Sequence, residues 1–142
     1  MTGAREILNR IKQFGGNAEQ AEKRAVFLTA NAIKNSAVKS INAQSFGSYV
    51  TRYSQGGKPY SHIAAKAGSA PNTDTGNLVK SISVEPLQPT KTMYVGVNAD
   101  YGTWLEFGTR QMQPRPFLGP AMDANESELM DILAQEYRKL LK

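Results

Sequence analysis

Cysteine is absent from the 142 residues of this chain, and histidine occurs only once, at His62. The first absence excludes disulfides, thiolate metal sites and cysteine nucleophiles, and it suits a protein made in a reducing cytoplasm. His62 has no acidic residue nearby in sequence, so we expect a solvated side chain rather than a catalytic one. The glycine pairs lack the lysine-bearing spacing of a phosphate loop. We therefore expect no enzymatic activity, no metal and no cofactor.

Long apolar runs are also missing. No stretch approaches the roughly 18 to 20 apolar residues that span a bilayer, and the first residues lack the continuous apolar core of a signal peptide. We expect a soluble chain that is not exported and has no membrane partner. A length of 142 residues is the usual size of one domain, so a single domain over residues 1–142 is predicted.

Charge is unevenly distributed along the chain. Residues 1–70 carry ten Lys or Arg against three Glu, a net charge of +7, whereas residues 71–142 carry seven against nine, a net charge of −2, and the total is +5. This asymmetry favours contact with nucleic acid or with the acidic face of a neighbouring subunit, although a solvated helix face explains it as well. The candidate contact residues are Lys23, Arg24, Lys34, Lys39, Arg52, Lys58 and Lys66.

Helices are predicted at both ends of the chain. An apolar stripe with steps of three and four residues predicts a long helix over residues 17–43. The stripe consists of Val26, Ala30, Ile33, Ala37 and Ile41. Gly15 and Gly16 are expected to interrupt the pattern, which leaves residues 1–16 as a separate short helix or a mobile arm. Pro120 is placed to open a second amphipathic helix, whose early acidic and late basic residues suit the helix dipole.

Strands are predicted between these helices. Residues 45–53 favour one strand or an irregular hairpin, and residues 54–77 read as a long loop that is ordered by partners. Within that loop, Asp74 is expected to cap a helix or bond within a turn. Residues 78–84, 92–97 and 101–107 are predicted to form three strands of a small antiparallel sheet, with Pro86 and Pro89 between the first two. The predicted fold class is α+β.

Residues 101–121 combine an aromatic strand, a glycine turn and a proline-rich exit. Arg115 lies between Pro114 and Pro116, which favours a stiff, extended arm. Glu106 is flanked by apolar residues, so we expect either a buried or intersubunit ion pair with a basic residue such as Arg110 or Arg115, or else exposure on the alternate strand face.

Three motifs in this half of the chain resemble the tail-completion (neck) protein family of long-tailed bacteriophages and prophages. The first is an E-F-G-T turn formed by Glu106, Phe107, Gly108 and Thr109. The second is a P-x-P-F-L-x-P-A segment formed by Pro114, Pro116, Phe117, Leu118, Pro120 and Ala121. The third lies upstream and contains Pro71, Thr75, Gly76 and Leu78. The resemblance covers roughly residues 70–122.

The resemblance implies a structural virion protein of the neck, which joins the head connector to the tail and is assembled in the host cytoplasm. It implies a ring of six or twelve copies, with a head-completion or connector protein and a tail terminator or tail tube protein as neighbours. The residues expected at the subunit interface are Glu106, Phe107, Gly108, Thr109, Arg115, Pro116, Phe117 and Leu118. Phe117 is either an apolar anchor for the next subunit or a staple onto its own core.

Nucleic-acid binding is the alternative function. Aromatic and basic residues alternate around Tyr49, Arg52 and Tyr60, a mixture that stacks bases and neutralises phosphates. No known recognition module is spelled out, however. Transient contact with genomic DNA is compatible with the ring, since DNA passes through the neck.

Overall fold

The computed structural model of the protein describes residues 2–87 and 91–140, and it has the predicted α+β fold with a long helix at each end. The elements in chain order are α1 (Thr2–Asn42), β1 (Tyr49–Tyr53), β2 (Pro59–Ile63), α2 (Asn77–Ser81), β3 (Ile82–Leu87), β4 (Thr92–Val97), α3 (Gly102–Phe107) and α4 (Leu118–Leu140).

The first helix runs without a break through Gly15 and Gly16, so the prediction of a separate short helix is wrong. Glycine costs about 1 kcal/mol relative to alanine in a helix, but it does not forbid one. The residues on both sides of the pair favour the helix, and both glycines lie in open space. Movement of residues 1–16 stays a prediction.

The two long helices pack against each other in antiparallel orientation. Asn125 Nδ2 donates to Ser36 Oγ at 2.9 Å, and near the other end of the pair the Tyr137 hydroxyl donates to Glu22 Oε1 at 2.7 Å. The small side chains of Ala21 and Ala25 are buried in this part of α1, which lets the helices approach closely. The long C-terminal helix predicted from the sequence is confirmed.

A compact apolar cluster joins the helices to the rest of the fold. Its buried members are Ala37, Ile41, Leu78, Ile82, Phe117 and Ala121. The predicted stripe on the first helix is confirmed at Ala30, Ala37 and Ile41, which are buried, and Ile33 packs at the edge of the cluster.

Two separate hairpins replace the single predicted sheet. β1 pairs antiparallel with β2, and β3 pairs antiparallel with β4. The strand predicted at 92–97 is confirmed as β4, but the strand predicted at 78–84 begins as the helix α2. Gly76 has a left-handed backbone conformation, with φ 77°, and this turn leads the chain into α2. The chain becomes extended again at Ile82. Pro89 lies outside the described residues.

The segment predicted as a long loop, residues 54–77, contains a strand. β2 forms the second half of a hairpin whose turn is closed by Gly57 N donating to Ser54 O at 2.8 Å. Gly57 has φ 73°, a conformation that suits glycine at a tight turn. The prediction of an unstructured connection is therefore wrong for residues 59–63.

The aromatic segment at residues 101–107 is a short helix rather than a strand. Leu105 N donates to Tyr101 O at 3.0 Å, and Gly108 N donates to Trp104 O at 2.9 Å. Gly102 is buried against Val97, where an added Cβ would lie 2.5 Å from Val97 Cγ1. The close approach of Gly102 to β4 and the helical turn place Leu105 beside the core. This packing outweighs the local preference of the aromatic residues for a strand.

Candidate functional site

An open cleft of about 550 Å³ lies between the β1–β2 hairpin and residues 71–79. Ile41 and Leu78 from the core contribute to its lining, and Arg115 contributes from the other side. This volume is within the usual range of roughly 300–1,000 Å³ for a binding site.

Four polar side chains meet at one wall of the cleft. The Tyr60 hydroxyl donates to both oxygens of Asp74, at 3.1 and 2.9 Å, and Arg52 Nη1 lies 3.3 Å from Asp74 Oδ2. His62 Nδ1 lies 3.7 Å from Asp74 Oδ1, and its side chain is only 10% exposed. The prediction of a solvated His62 is therefore wrong, because the segment between β2 and α2 brings Asp74 next to the hairpin that carries His62.

This cluster fastens the hairpin to the rest of the molecule. The hydrogen bond to Asp74 raises the pKa of the Tyr60 phenol, and partial burial acts in the same direction. The sequence suggested that Asp74 caps a helix or bonds within a turn. Instead its carboxylate accepts a hydrogen bond from Tyr60 and pairs with Arg52, both in the hairpin. Arg52, a candidate for phosphate contact, is held by the same carboxylate.

The neighbouring residues of the same motif fasten two other elements. Asn72 Nδ2 donates to Ser45 O at 2.8 Å and to Ile63 O at 2.9 Å, and Asn72 Oδ1 accepts from Ser45 N at 2.7 Å. Thr73 Oγ1 donates to Asn42 Oδ1 at 2.8 Å, at the end of α1. We call residues 72–74 the clasp, because three consecutive side chains bind different parts of the fold.

Glu106 binds the first backbone amides of α4. Its Oε2 accepts from Phe117 N at 2.9 Å and from Leu118 N at 3.0 Å, and its Oε1 accepts from Gly119 N at 2.7 Å. These amides have no partner within the helix, and a carboxylate there also suits the helix dipole. No ion pair joins Glu106 to Arg110 or Arg115 within residues 2–87 and 91–140, so the predicted buried pair is wrong and helix amides take its place. A pair across a subunit interface stays a prediction.

The turn after Glu106 requires glycine. Gly108 has φ 75°, and a Cβ added there would lie 2.8 Å from Met112 O. Thr109 N donates to Met112 O at 2.8 Å, which closes a tight loop with Thr109 on its exposed side. The two motifs of residues 106–121 are thus parts of one connected unit.

Arg115 is held firmly at its backbone, whereas the contact of its charged end with Met112 is long. Arg115 N donates to Leu105 O at 2.7 Å, which fixes the extended segment between the two prolines against α3. Its Nε is buried and has no hydrogen-bond partner within residues 2–87 and 91–140, and Nη1 lies 3.9 Å from Met112 Sδ. The guanidinium therefore lines the cleft without a carboxylate from the described part of the chain.

Phe117 is 1% exposed and belongs to the central apolar cluster. Of the two predictions for this residue, the staple onto its own core is confirmed and the surface anchor is wrong. Pro116 and Leu118 on either side are half-buried. The sequence did not separate the two roles because the same residue type serves in either place.

Large exposed side chains lie instead on α3. Phe107 is 76% exposed and Trp104 is 58% exposed, and their spacing of three residues places them on one side of the short helix. We call these two residues the α3 surface. Among the residues predicted for the interface, Phe107 and Thr109 are exposed, whereas Glu106, Gly108 and Arg115 are half-buried.

The basic candidates do not form one patch. Lys23 pairs with Glu19 at 2.8 Å, and Arg24 lies 3.7 Å from Glu136 on α4. The other lysines have no ion pair in the described ranges and lie on α1, in the hairpin turn and after β2; they are Lys34, Lys39, Lys58 and Lys66. Because three of the seven candidates are paired within the chain, the positive charge available to a partner is smaller than the sequence suggests.

Comparison with known proteins gives no relative. No protein-family model, no curated protein and no solved structure matches the chain. Within the described residues, no group of three acidic or histidine side chains is arranged to hold a metal ion. The helices that the structure describes include none that is both long enough and apolar enough to cross a bilayer.

Proposed function

We propose that this protein is a structural component of a phage neck, a ring subunit that joins the head connector to the tail. Its work is subunit contact, and we propose that it acts without catalysis and without a cofactor. The motif resemblance supplies the biological role, and the α3 surface is the structural observation that supports a contact function.

The α3 surface is suited to protein contact because it is apolar, exposed and rigidly held. Glu106 fixes one side of α3 to the start of α4, and Arg115 N fixes the Leu105 carbonyl. Exposed tryptophan and phenylalanine on a preorganised support are typical of interface residues that contribute much of the binding energy. In this proposal Phe107 and Trp104 replace Phe117 as the anchors.

The first experiment tests the role in the virion. In extracts of the phage lacking this gene product, we expect separate heads and tails, and purified protein should restore joined, infectious particles. Normal joining without the protein would contradict the neck function.

A second experiment tests the α3 surface. The Trp104→Ser, Phe107→Ser double variant should stay folded and lower joining about tenfold or more, since it removes two apolar anchors. Phe46→Ser is the matched control, because Phe46 is also exposed but lies outside the motif unit. Equal losses in both variants, or none in either, would argue against this surface.

Light scattering of the purified protein, with and without DNA, separates the ring from the alternative function. A closed oligomer independent of DNA supports the ring and gives its symmetry. A monomer that associates only with DNA, with affinity falling steeply as salt rises, would favour a basic nucleic-acid-binding module instead.

A further inference from the structure

The cleft beside the β1–β2 hairpin contains an arginine whose hydrogen-bonding capacity is largely unused. The guanidinium of Arg115 carries several N–H donors in a rigid fork. Its contact with Met112 Sδ is 3.9 Å long, and its Nε is buried without a partner within residues 2–87 and 91–140. No ion pair joins Arg115 to a carboxylate in the same ranges. Its terminal nitrogens therefore remain able to bind an anion.

The backbone holds Arg115 in a fixed place at the cleft. Pro114 and Pro116 restrict the chain on either side, and Arg115 N donates to Leu105 O at 2.7 Å. Because the residue is half-buried, water screens its charge less than it screens a fully exposed one. A preorganised and partly desolvated guanidinium loses little freedom when it binds an anion, which favours binding.

The carboxylates close to this part of the fold are already engaged. Asp74 accepts two hydrogen bonds from Tyr60, at 3.1 and 2.9 Å, and lies 3.3 Å from Arg52 Nη1. Glu106 accepts from three backbone amides at the start of α4. Of the two arginines that line the cleft, Arg52 thus has a carboxylate partner, whereas Arg115 has none among the described residues.

Apolar side chains form much of the remaining lining. Tyr101 and Leu105 lie one helical turn apart on α3, and both line the cleft. Ile41 and Leu78 line it from the central apolar cluster, against which Leu105 also packs. The cleft therefore combines an unpaired arginine with an apolar wall, in a volume of about 550 Å³.

We propose that the cleft binds a carboxylate attached to an apolar or aromatic group, with Arg115 holding the carboxylate and with Tyr101 and Leu105 contacting the apolar part. A planar carboxylate carries a single charge and accepts two parallel hydrogen bonds from a guanidinium. A phosphate group brings more negative charge than one arginine balances, so the cleft favours the carboxylate. The group belongs either to a free carboxylic acid or to the end of a peptide chain. This inference goes beyond the neck function and does not depend on it.

A titration followed by NMR tests the site on the wild-type chain. With isotope-labelled arginine, the Nε–H signal of Arg115 is the one that Arg115→Lys removes. We expect phenylacetate to shift this signal to saturation, and its neutral isostere phenylacetamide to bind about tenfold more weakly, because the charged hydrogen bonds are lost. Acetate should also bind more weakly than phenylacetate, because it lacks the apolar group.

The Arg115→Lys variant separates the guanidinium fork from simple charge. Lysine keeps the positive charge but cannot form the two parallel hydrogen bonds, so the affinity for phenylacetate should fall about tenfold. Arg110→Lys is the matched control, because Arg110 is exposed and is not among the residues that line the cleft, and it should leave the affinity unchanged. Calorimetric titration measures both affinities, and thermal unfolding checks that both variants are folded.

Comparison of related ligands identifies the source of the carboxylate. Tighter binding of N-acetylphenylalanine than of phenylacetate would assign the site to the end of a peptide chain, and the reverse order would assign it to a free acid. Equal binding of phenylacetate and phenylacetamide, equal losses in the two lysine variants, or no saturable shift with any probe would overturn the proposal. Tighter binding of phenyl phosphate than of phenylacetate would overturn it in favour of a phosphate-bearing ligand such as nucleic acid. Head–tail joining decides the neck function separately from all of these results.

Discussion

Glu106 connects two segments that are separate in sequence. Three backbone amides at the start of α4 converge on its two carboxylate oxygens, so α3 and α4 are held at a fixed distance. Apolar neighbours in the sequence correctly indicated that this carboxylate needs a partner. They did not show that the partner is a helix end, because nearly every residue has a backbone amide and the sequence does not indicate which amides are free.

Glu106→Gln should lower the free energy of unfolding by about 1 kcal/mol, since the charge at the helix N-terminus is lost while one oxygen still accepts. Glu106→Ala should cost more because all three amides lose their acceptor. Urea denaturation measures both, with the exposed Glu128→Gln in the same helix as control. A loss equal to the control's would show that the cap contributes nothing.

Phe117→Ala should destabilise the folded monomer by about 3–5 kcal/mol, because it opens a cavity in the central cluster. The sequence left open an apolar anchor at Phe117, a role in which the variant would stay folded and fail only in assembly. Phe107→Ala is the matched control and should change stability little. Thermal unfolding of both variants checks the difference, and similar melting temperatures would contradict the assigned burial.

Periodicity predicted the long elements well. The alanine-rich stripe of α1 and the amphipathic pattern of α4 extend over many turns, so one misleading residue does not hide the period. Short elements were harder to predict. The aromatic residues of α3 favour a strand locally, and only the close packing of Gly102 on Val97 and the Glu106 contacts show why the segment is helical.

The clasp was beyond the reach of the sequence for a related reason. Its side chains bind partners that are far away in the chain, such as Ser45 for Asn72 and Asn42 for Thr73. A short sequence motif does not identify partners that lie far away in the chain. The clasp lies within residues 70–122, the range of the motif resemblance, but the sequence did not indicate its contacts or the hairpin residues Arg52, Tyr60 and His62 that meet it.

Two glycine substitutions should act in opposite directions. Gly15→Ala should stabilise α1 by about 0.5–1 kcal/mol, since the site is helical and has open space around it. Gly108→Ala should destabilise by about 1–3 kcal/mol, because its φ is 75° and the new methyl group would meet Met112 O. Circular dichroism with urea titration measures both, and a stabilising Gly108→Ala would refute the assigned turn.

At the scale of the whole molecule, α1 and α4 each carry a carboxylate, Glu22 and Glu136, that forms ion pairs in the folded protein. A hydrogen bond from Lys91 lowers the pKa of Glu22, and a hydrogen bond from Lys139, followed by the charges of Lys139 and Arg24, lowers the pKa of Glu136. Both ionised forms are therefore favoured by folding. Their stabilisation is present above the ordinary pKa of 4.5 and is lost as pH falls through the lower, folded-state values.

The melting temperature should therefore fall as the pH is lowered below about 4.5. Glu22→Gln with Glu136→Gln should lower stability at neutral pH and reduce the steepness of this acid transition. The paired control is Glu126→Gln with Glu128→Gln, which removes two exposed carboxylates from α4. An unchanged acid transition in the first double variant would show that these two carboxylates do not contribute to the loss of stability in acid.

The contacts of the clasp predict which part of the protein unfolds locally first. The β1–β2 hairpin is attached through polar side chains, whereas the two long helices share a buried apolar cluster. Local opening requires less free energy where little apolar surface is buried, so we expect the hairpin to open more readily than the helix pair.

Amide hydrogens of Tyr49–Tyr53 should exchange faster than those of β4, and Asp74→Asn should increase the exchange rate of Tyr49–Tyr53 alone. In the proposed ring, a chain with one loosely attached hairpin would keep its shape while it fits a neighbour, and the surface that the hairpin meets would determine its position.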